Sequence, residues 1–338
     1  MIKKNDLEQI EQMIIKKYGE SAMLKMSNQE KALKVPFVST GLLTLDLVCG
    51  GGFPQGKITE IYGKEGSGKT SICLQIAAYL QRKKKFRIVY IDAEYALNIQ
   101  YCESIGIDPK LFYLSHHDSA EQIFNFIVDI AETQLAQVII LDSIASLVTK
   151  NDLKCDFSVP PVASLARVLS SSLKRIFPCI EKSNIILILI NQLRSNVNSF
   201  GFSGEITSGG YAVRHASFLI LELKKRELIV KNNEIIGSKI AIKCVKNKLG
   251  MPYKNGILEC HFGSGFSSIQ NILSFAIDLN IVQRKSTWLY YENKPIGQSG
   301  KAASFLLENL NILKKILSSI LEILKRKHNI ELNIGNYL

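Results

Sequence analysis

The chain has 338 residues and a formal net charge of +12, and 46% of its residues are hydrophobic. This length allows one large core with a small appendage and excludes many independent domains. No apolar run approaches the ~20 residues that cross a bilayer, the charged first residues exclude a secretory signal, and the seven scattered cysteines exclude a disulfide framework. We therefore expect a cytoplasmic protein without membrane contact. The positive charge suits a polyanionic partner, but an AT-rich genome, which encodes many lysines, gives its proteins the same excess of positive charge.

The first part of the chain predicts an isolated amphipathic helix. Apolar residues recur at helical spacing over Leu7–Tyr18, and Gly19 ends the pattern. The polar stretch Ser27–Lys34 separates this helix from the rest of the chain. Because a lone amphipathic helix cannot bury its apolar stripe, it must pack either on a neighbouring subunit or on its own core. We predict a docking segment over residues 1–33.

The middle of the chain alternates short apolar strands with helices. Strands are predicted at Ile58–Tyr62, Arg87–Ile91, Leu111–Ser115, Val138–Leu141 and Ile185–Ile190, and helices at Thr70–Gln81, Ala120–Glu132 and Ser164–Phe177. Continuously apolar strands that alternate with helices indicate an α/β fold in which helices cover both faces of a mostly parallel sheet.

Three later strands lack intervening helices and predict an antiparallel extension of the sheet. They are Ser217–Leu223, Lys239–Val245 and Ile257–Phe262, with a hairpin turn at Lys231–Glu234. The core is predicted over residues 34–268. Residues 269–338 predict a small α/β C-terminal domain, because two amphipathic helical segments flank Trp288–Tyr291 and a helix rich in Leu, Ile and Lys ends the chain.

A glycine-rich loop carries the strongest chemical signal. Gly63–Thr70 (GKEGSGKT) fits G-x-x-x-x-G-K-[ST] in full, between a predicted strand and a predicted helix. Backbone N–H groups of such a loop and the helix N-terminus receive phosphate oxygens. Lys69 is expected to reach the β and γ phosphates, and the Thr70 hydroxyl to coordinate Mg²⁺. The predicted ATP-binding residues here are Gly63, Glu65, Gly66, Ser67, Gly68, Lys69, Thr70 and Ser71.

Two carboxylates follow predicted strands. Asp142 ends the apolar run Val138–Leu141, where an acid beside the phosphate loop would hold Mg²⁺ through its water ligands. Glu94 stands at another strand end, where it could polarise the water that attacks the γ phosphate. Both positions also suit ordinary acids that cap turns.

Several segments, in this order and spacing, resemble the bacterial RecA recombinases. They are Ile58–Thr70 (ITEIYGKEGSGKT), Tyr90–Glu94 (YIDAE), Ile140–Ser143 (ILDS), Ile190–Arg194 (INQLR), Gly209–Gly210 and Val245–Lys248 (VKNK). The resemblance runs from the N-terminal helix through the C-terminal domain. It implies a DNA-dependent ATPase that forms a helical filament on single-stranded DNA and exchanges that strand with a homologous duplex in DNA repair and the SOS response. It also allows a LexA-type repressor as a partner.

The resemblance implies further roles in ATP turnover. Tyr101 would stack on adenine, and Asn98 would lie near the base, where the family usually has an aspartate. Gln192 would sense the γ phosphate and report its presence to the loop that follows. Lys246 and Lys248 would reach into the ATP site of the neighbouring subunit, as an arginine finger does. Together with Glu94 and Lys69, these last three residues complete the predicted catalytic set.

Two predicted loops would face DNA at the filament axis. The first covers Lys154–Val162 and precedes a helix, and the second covers Arg194–Gly210. Small and polar residues let backbone N–H groups approach DNA phosphates without reading sequence. The predicted DNA-binding residues are Val162, Arg167, Ser170, Lys174, Arg194, Val197, Gly209 and Gly210.

Two other classes of protein also fit a phosphate loop. A ring-forming helicase could use the same core, although such motors usually carry a separate N-terminal domain. A non-catalytic regulator could retain a degenerate ATP site, although Lys69, Thr70, Glu94 and Asp142 are all present. The DNA-pairing recombinase is the interpretation that the motifs favour.

Overall fold

The computed structural model describes residues 4–19, 35–155, 164–197, 203–328 and 332–338, in two compact units, Met1–Pro36 and Phe37–Leu338. In the first unit, helix α1 (Lys4–Tyr18) confirms the predicted helix. The side chains of Leu7, Ile10, Met13 and Tyr18 are exposed in the structure. The subunit or core surface that would cover this stripe therefore stays a prediction, as do the domain boundaries at residues 33/34 and 268/269.

The second unit contains the remaining described elements. Its strands are β1 (Phe37–Val38), β2 (Phe53–Pro54), β3 (Ile58–Gly63), β4 (Ile88–Asp92), β5 (Phe112–Ser115), β6 (Val138–Asp142), β7 (Ile186–Val197), β8 (Ser203–Thr207), β9 (Leu219–Lys231), β10 (Glu234–Asn247), β11 (Asn255–His261), β12 (Gly265–Phe266), β13 (Val282–Lys285), β14 (Trp288–Tyr291) and β15 (Lys294–Gln298). Its helices are α2 (Leu43–Cys49), α3 (Lys69–Lys84), α4 (Ile99–Ser104), α5 (Ala120–Thr133), α6 (Lys150–Lys154), α7 (Ser164–Ser183), α8 (Gly210–Ala216), α9 (Ser268–Asp278), α10 (Ala302–Glu308) and α11 (Leu310–His328).

The central sheet is mostly parallel with an antiparallel extension, which confirms the predicted fold class. Within the described residues its order is β12-β11-β10-β9-β3-β7-β6-β4-β5, and β8 pairs with β7 off this path. Strands β3, β4, β5, β6 and β7 run parallel to one another, and β9 lies parallel to β3. From β9 to β12 each strand runs antiparallel to its neighbour.

Side chains from the central strands divide between two cores, one on each face of the sheet. In β6, Val138 and Ile140 join the core that α3 covers, while Ile139 and Leu141 join the core that α5 and α7 cover. Successive side chains of a strand point to opposite faces, so a strand buried on both sides must be continuously apolar. This is the physical reason why the apolar run Val138–Leu141 correctly predicts a central strand.

Helix α7 is longer than predicted. The sequence pattern placed its end at Phe177, but the helix continues through Pro178 to Ser183. Proline inside a helix removes a hydrogen bond and costs ~3 kcal/mol. The helix nevertheless keeps Ile180 fully buried on the same face as Ile176, and this burial favours continuing the helix past the proline.

The predicted second loop, Arg194–Gly210, is partly wrong, because part of it is a hairpin. Strand β7 runs on to Val197 and pairs antiparallel with β8, from Leu193 opposite Thr207 to Val197 opposite Ser203. The residues of this extension lack apolar alternation, so the pattern gave no strand signal. The predicted hairpin turn after β9 is confirmed, and Asn232 and Asn233 both have positive φ, at 52° and 65°, as type I′ turns require.

The last part of the chain forms a third apolar cluster with a small antiparallel sheet. Strands β13, β14 and β15 pair in that order, and α9, α10 and α11 pack with them around this cluster. Leu43 of α2 joins the same cluster, and the Tyr337 hydroxyl donates to Asp46 Oδ2 over 2.7 Å, so α2 and the chain end are in contact. Among the helices that the structure describes, none is long and apolar enough to cross a membrane.

Candidate active site

The predicted phosphate loop lies between β3 and α3, as the motif requires. Gly66 and Gly68 have φ of 69° and 84°, a left-handed conformation that residues with a Cβ rarely adopt. A Cβ on Gly68 would also lie 2.5 Å from Ile240 Cδ1, whereas one on Gly66 would meet open space. The two glycines thus serve different ends, since Gly68 lets the loop pack on β10 and Gly66 shapes its exposed turn.

Lys69 is buried inside this loop. Its ammonium donates to the carbonyl oxygens of Gly63, over 3.1 Å, and Lys64, over 2.9 Å. Burial lowers the pKa of Lys69, while nearby carboxylates, Asp142 foremost, oppose that shift. The Ser67 hydroxyl is also buried and has no hydrogen-bond partner within the described residues. A buried cation and an unpaired hydroxyl in one loop fit a bound phosphate chain.

Thr70 and Asp142 meet beside the loop. The Thr70 hydroxyl donates to Asp142 Oδ2 over 2.6 Å, and the Tyr90 hydroxyl donates to the same oxygen over 2.7 Å. Burial raises the pKa of Asp142, although both hydrogen bonds act against the rise. A hydroxyl and a carboxylate at this distance are hard oxygen donors, the type that Mg²⁺ prefers. The contact of Tyr90 with Asp142 was not predicted, although a hydroxyl-bearing residue in an otherwise apolar strand is a signal of a polar partner at the strand end.

Glu94 is held between two strand ends. Its Oε1 accepts hydrogen bonds from the Ser143 hydroxyl and from the Gln192 side-chain amide, the latter over 2.7 Å. The predicted catalytic residues Glu94 and Gln192 are therefore in direct contact. Asp92 shapes the turn that carries Glu94, because its carboxylate accepts from the backbone N–H groups of Glu94, Ala96 and Leu97.

A buried amide joins Gln192 to the next segment. Asn191 is fully buried, and its Nδ2 donates over 2.9 Å to Glu60 Oε1 and over 2.9 Å to the Ser208 carbonyl. Its Oδ1 accepts from the Gln192 backbone N–H over 2.9 Å. Asn191 thus links β3, β7 and the residues just before Gly209. Its role was not predicted, because the strand partners that it connects are distant in sequence.

Asn98 and Tyr101, the predicted adenine contacts, lie together at the start of α4. Asn98 Oδ1 accepts from the Tyr101 backbone N–H over 3.0 Å, so this side chain caps the helix. Tyr101 packs partly against the core under α3, and its hydroxyl interacts with the Ser71 side chain. This places both residues beside the phosphate loop, and their contact with the base stays a prediction.

Lys246 and Lys248 do not meet their own phosphate loop. Lys246 pairs with Ile220 on β9, which pairs with Glu60 on β3, three residues before Gly63. At about 3.3 Å per residue, the loop begins roughly 10 Å farther along the sheet. The Lys246 ammonium instead donates to the carbonyls of Arg214 and His215, and Lys248 donates to His215.

The predicted DNA-binding residues are only partly described. Ser170 and Lys174 on α7 and Gly209 and Gly210 at the start of α8 line one open groove of about 990 Å³. Arg167 is exposed on α7, one turn before Ser170. Val162 lies outside the described residues. For Arg194 and Val197 the structure describes the backbone strand, and their side chains are outside the described part.

Comparison with known proteins assigns the chain to a family. Residues 4–267 match the family described as the RecA N-terminal domain, and residues 270–325 match the RecA C-terminal domain. The chain is 32% identical over 323 residues to Protein RecA of Campylobacter hominis, covering 95% of this chain and 92% of that protein. It is 33% identical over 323 residues to Protein RecA of Thermus aquaticus, covering 95% and 94%. It is 35% identical over 320 residues to Protein RecA of Clostridium novyi, covering 94% and 90%. The chain belongs to the RecA family of ATP-hydrolysing, DNA-dependent recombinases.

Proposed function

We propose that this protein forms a helical filament on single-stranded DNA, completes its ATP sites between neighbouring subunits, and pairs the bound strand with a homologous duplex. One observation carries the proposal. One edge of the sheet carries the groups suited to bind and hydrolyse ATP, which are Lys69, Thr70, Asp142 and Glu94. Lys246 and Lys248 lie at another edge. A second subunit can supply what one subunit lacks, so hydrolysis requires assembly.

The phosphate loop would hold ATP through its backbone N–H groups and the Lys69 ammonium, which would exchange its carbonyl partners for phosphate oxygens. Thr70 and Asp142, the latter through water, would hold Mg²⁺, which neutralises charge on the β and γ phosphates. Glu94 would accept the proton of the attacking water, because Ser143 and Gln192 fix its carboxylate. Tyr101 and Asn98 would contact the base.

Gln192 would report nucleotide state to the DNA-binding segment. Its amide donates to Glu94, and an ATP γ phosphate would compete for that donor. The backbone of Gln192 is tied through Asn191 to Ser208, next to Gly209 and Gly210. A shift of Gln192 would therefore act on the segment whose backbone N–H groups are proposed to bind DNA phosphates.

The DNA strand would lie along the groove between α7 and α8. Lys174 offers a cation, Ser170 a hydroxyl, and Gly209 and Gly210 backbone donors in that groove. Arg167, Val162, Arg194 and Val197 join this surface by family resemblance. Contacts of this kind bind phosphates without reading sequence, so homology would be recognised by base pairing between strands. We extend the proposal to the SOS response, in which the filament would promote self-cleavage of a LexA-type repressor.

Joint-molecule formation tests the function. A labelled single strand, supercoiled duplex, ATP and Mg²⁺ are combined, and homologous and heterologous duplexes are compared. We expect joint molecules with the homologous duplex and none for Lys69→Ala. If the protein separated the strands of homologous and heterologous duplexes equally well, the result would instead favour a helicase. No observation on this chain supports that alternative.

Mixed filaments test the division of the ATP site. Lys69→Ala protomers lack a working phosphate loop but keep Lys246 and Lys248, whereas Lys248→Ala protomers have the opposite defect. We expect DNA-stimulated ATP hydrolysis to rise well above that of either variant alone when the two variants are mixed. A mixture of Lys248→Ala with Lys69→Ala,Lys248→Ala is the control, because it contains intact phosphate loops but no Lys248, and it should show no such rise. No recovery in the first mixture would contradict a lysine that acts across the subunit boundary.

A further inference from the structure

One ring of a stacked aromatic pair lies under the Lys248 ammonium. The rings of Phe177, on α7, and Phe218, just before β9, stack with centroids 5.3 Å apart and planes inclined by 5°. Lys57 lies over both rings, 5.2 Å from the Phe177 centroid and 4.8 Å from the Phe218 centroid. The Lys57 ammonium also forms an ion pair with Glu181 and is buried. Since Glu181 balances the Lys57 charge, a second cation at the Phe218 ring meets less electrostatic repulsion.

Lys248 is that second cation. Its ammonium lies 4.5 Å from the Phe218 ring centroid, and its backbone N–H donates to the Phe218 carbonyl over 2.9 Å. The same ammonium donates to the His215 carbonyl over 3.3 Å. The backbone bond thus fixes the Lys248 main chain, while the ring face and the carbonyl hold its side chain. Lys248 is exposed, and beside Phe218 it lines the same groove as Ser170 and Lys174.

A lysine in this position needs such restraint to act on another subunit. Its four-carbon stem has many rotamers, and ordering it on assembly would cost conformational entropy. An aromatic face attracts an ammonium without consuming a hydrogen-bond donor, so the donors that do not bind the His215 carbonyl stay available for phosphate oxygens. Lys246, in contrast, is held by the carbonyls of Arg214 and His215 and lies over no ring in the described part of the chain.

We propose that Phe218 is a positioning residue for ATP hydrolysis, whose ring face holds the Lys248 ammonium ready for the ATP site of the adjoining subunit. The inference rests on the proposed role of Lys248 across the subunit boundary. Phe218 would not touch ATP. It would act through Lys248, so its removal should lower the rate of hydrolysis and leave nucleotide binding by the chain's own phosphate loop unaffected.

The test compares Phe218→Leu with Phe218→Tyr in single-stranded-DNA-stimulated ATP hydrolysis. Leucine fills similar volume without a π face, whereas tyrosine keeps the face. We expect Phe218→Leu to lower kcat about threefold to tenfold, from the usual strength of a cation–π contact, with KM for ATP unchanged. Phe218→Tyr should restore kcat. Tyr290→Leu is the matched control, because it removes a ring that lies under another lysine, Lys285, in the small C-terminal sheet, and its kcat should stay near that of the unaltered protein.

A double-mutant cycle separates the action of Lys248 across the subunit boundary from the positioning of Lys248 by Phe218. In a Lys248→Ala background, Phe218→Leu should cause no further loss of kcat. An equal further loss, or an equal effect of Tyr290→Leu, would overturn the positioning role while leaving the function of Lys248 intact. If Lys248→Ala itself hydrolyses ATP at the normal rate, both the positioning role and the proposed action across subunits fail. Thermal unfolding and filament length of each variant show whether a loss reflects folding or assembly.

Discussion

The two places where the central sheet carries the proposed ATP-site residues differ in how they hold their side chains. At the phosphate loop, the side chains hold one another, with Thr70 and Tyr90 donating to Asp142 and Gln192 donating to Glu94. On the β9–β10 side, Lys246 and Lys248 are held by backbone carbonyls of α8 and by a ring. The first site is organised within the chain, and the second presents two cations outwards.

Under the proposed function, this difference would let assembly control catalysis. A site whose members are hydrogen-bonded to one another is preorganised for nucleotide before any partner arrives. Two cations that repel each other, and that interact mainly with neutral carbonyls, gain most when polyphosphate from another subunit approaches. The contrast predicts that changes at the phosphate loop abolish chemistry, whereas changes on the lysine side weaken coupling.

The largest effect is expected for Glu94→Gln. The amide preserves shape but cannot take the proton of the attacking water, so DNA-stimulated hydrolysis should fall on the order of 10²–10⁴-fold. ATP binding, measured by nucleotide fluorescence, and filament formation should persist. Glu103→Gln, an exposed acid on α4, is the matched control. Hydrolysis within a few-fold of normal in Glu94→Gln would remove Glu94 from the mechanism.

A smaller effect, up to about tenfold, is expected from pH on the lysine side. Burial and, to a lesser extent, the adjacent Lys248 charge lower the pKa of Lys246 to about 8, from 10.5. Because the folded pKa is depressed, the ammonium is present below that value and is lost as the pH rises through about 8. The approach of polyphosphate to Lys246 should therefore weaken between pH 7 and 9, and at limiting protein concentration DNA-stimulated hydrolysis should fall with it.

The matched variant for the pH profile is Lys246→Arg. A guanidinium stays charged throughout this range, so the variant should keep its rate at pH 9 relative to its own rate at pH 7. Initial rates across the range, at saturating ATP and DNA, provide the measurement. A flat profile for the unaltered protein would show that the Lys246 charge does not limit hydrolysis.

The smallest effect on activity is expected far from both sites, for Tyr337→Phe. The hydroxyl of Tyr337 donates to buried Asp46, which also accepts from Ser39 and Thr40. Losing one hydrogen bond to this carboxyl should lower the free energy of unfolding by about 1–3 kcal/mol, with unchanged ATP hydrolysis at 25 °C. Denaturant unfolding measures the change, and Tyr253→Phe, at an exposed tyrosine, should unfold like the unaltered protein. Reduced hydrolysis in Tyr337→Phe would connect the chain end to the active site.

Much of the phosphate site could be predicted because its signals are local. The loop Gly63–Thr70 is contiguous, and Asp142 and Glu94 each follow an apolar run that reads as a central strand. Asp92, Ser143 and Asn191 were not identified, because each acts on a group from another strand or on turn backbone. Short polar side chains of this kind have many possible partners, and only the strand order selects one.

Local pattern was enough to predict the alternation of strands and helices, the phosphate loop and the family, because periodicity and contiguous motifs depend on neighbours in the chain. Tertiary structure alone decided that Gln192 meets Glu94 and that Lys246 and Lys248 do not meet Lys69. The physical reason is register. The pairing of β10 with β9, and of β9 with β3, sets how far the two lysines lie from the phosphate loop. Local sequence pattern does not encode that distance.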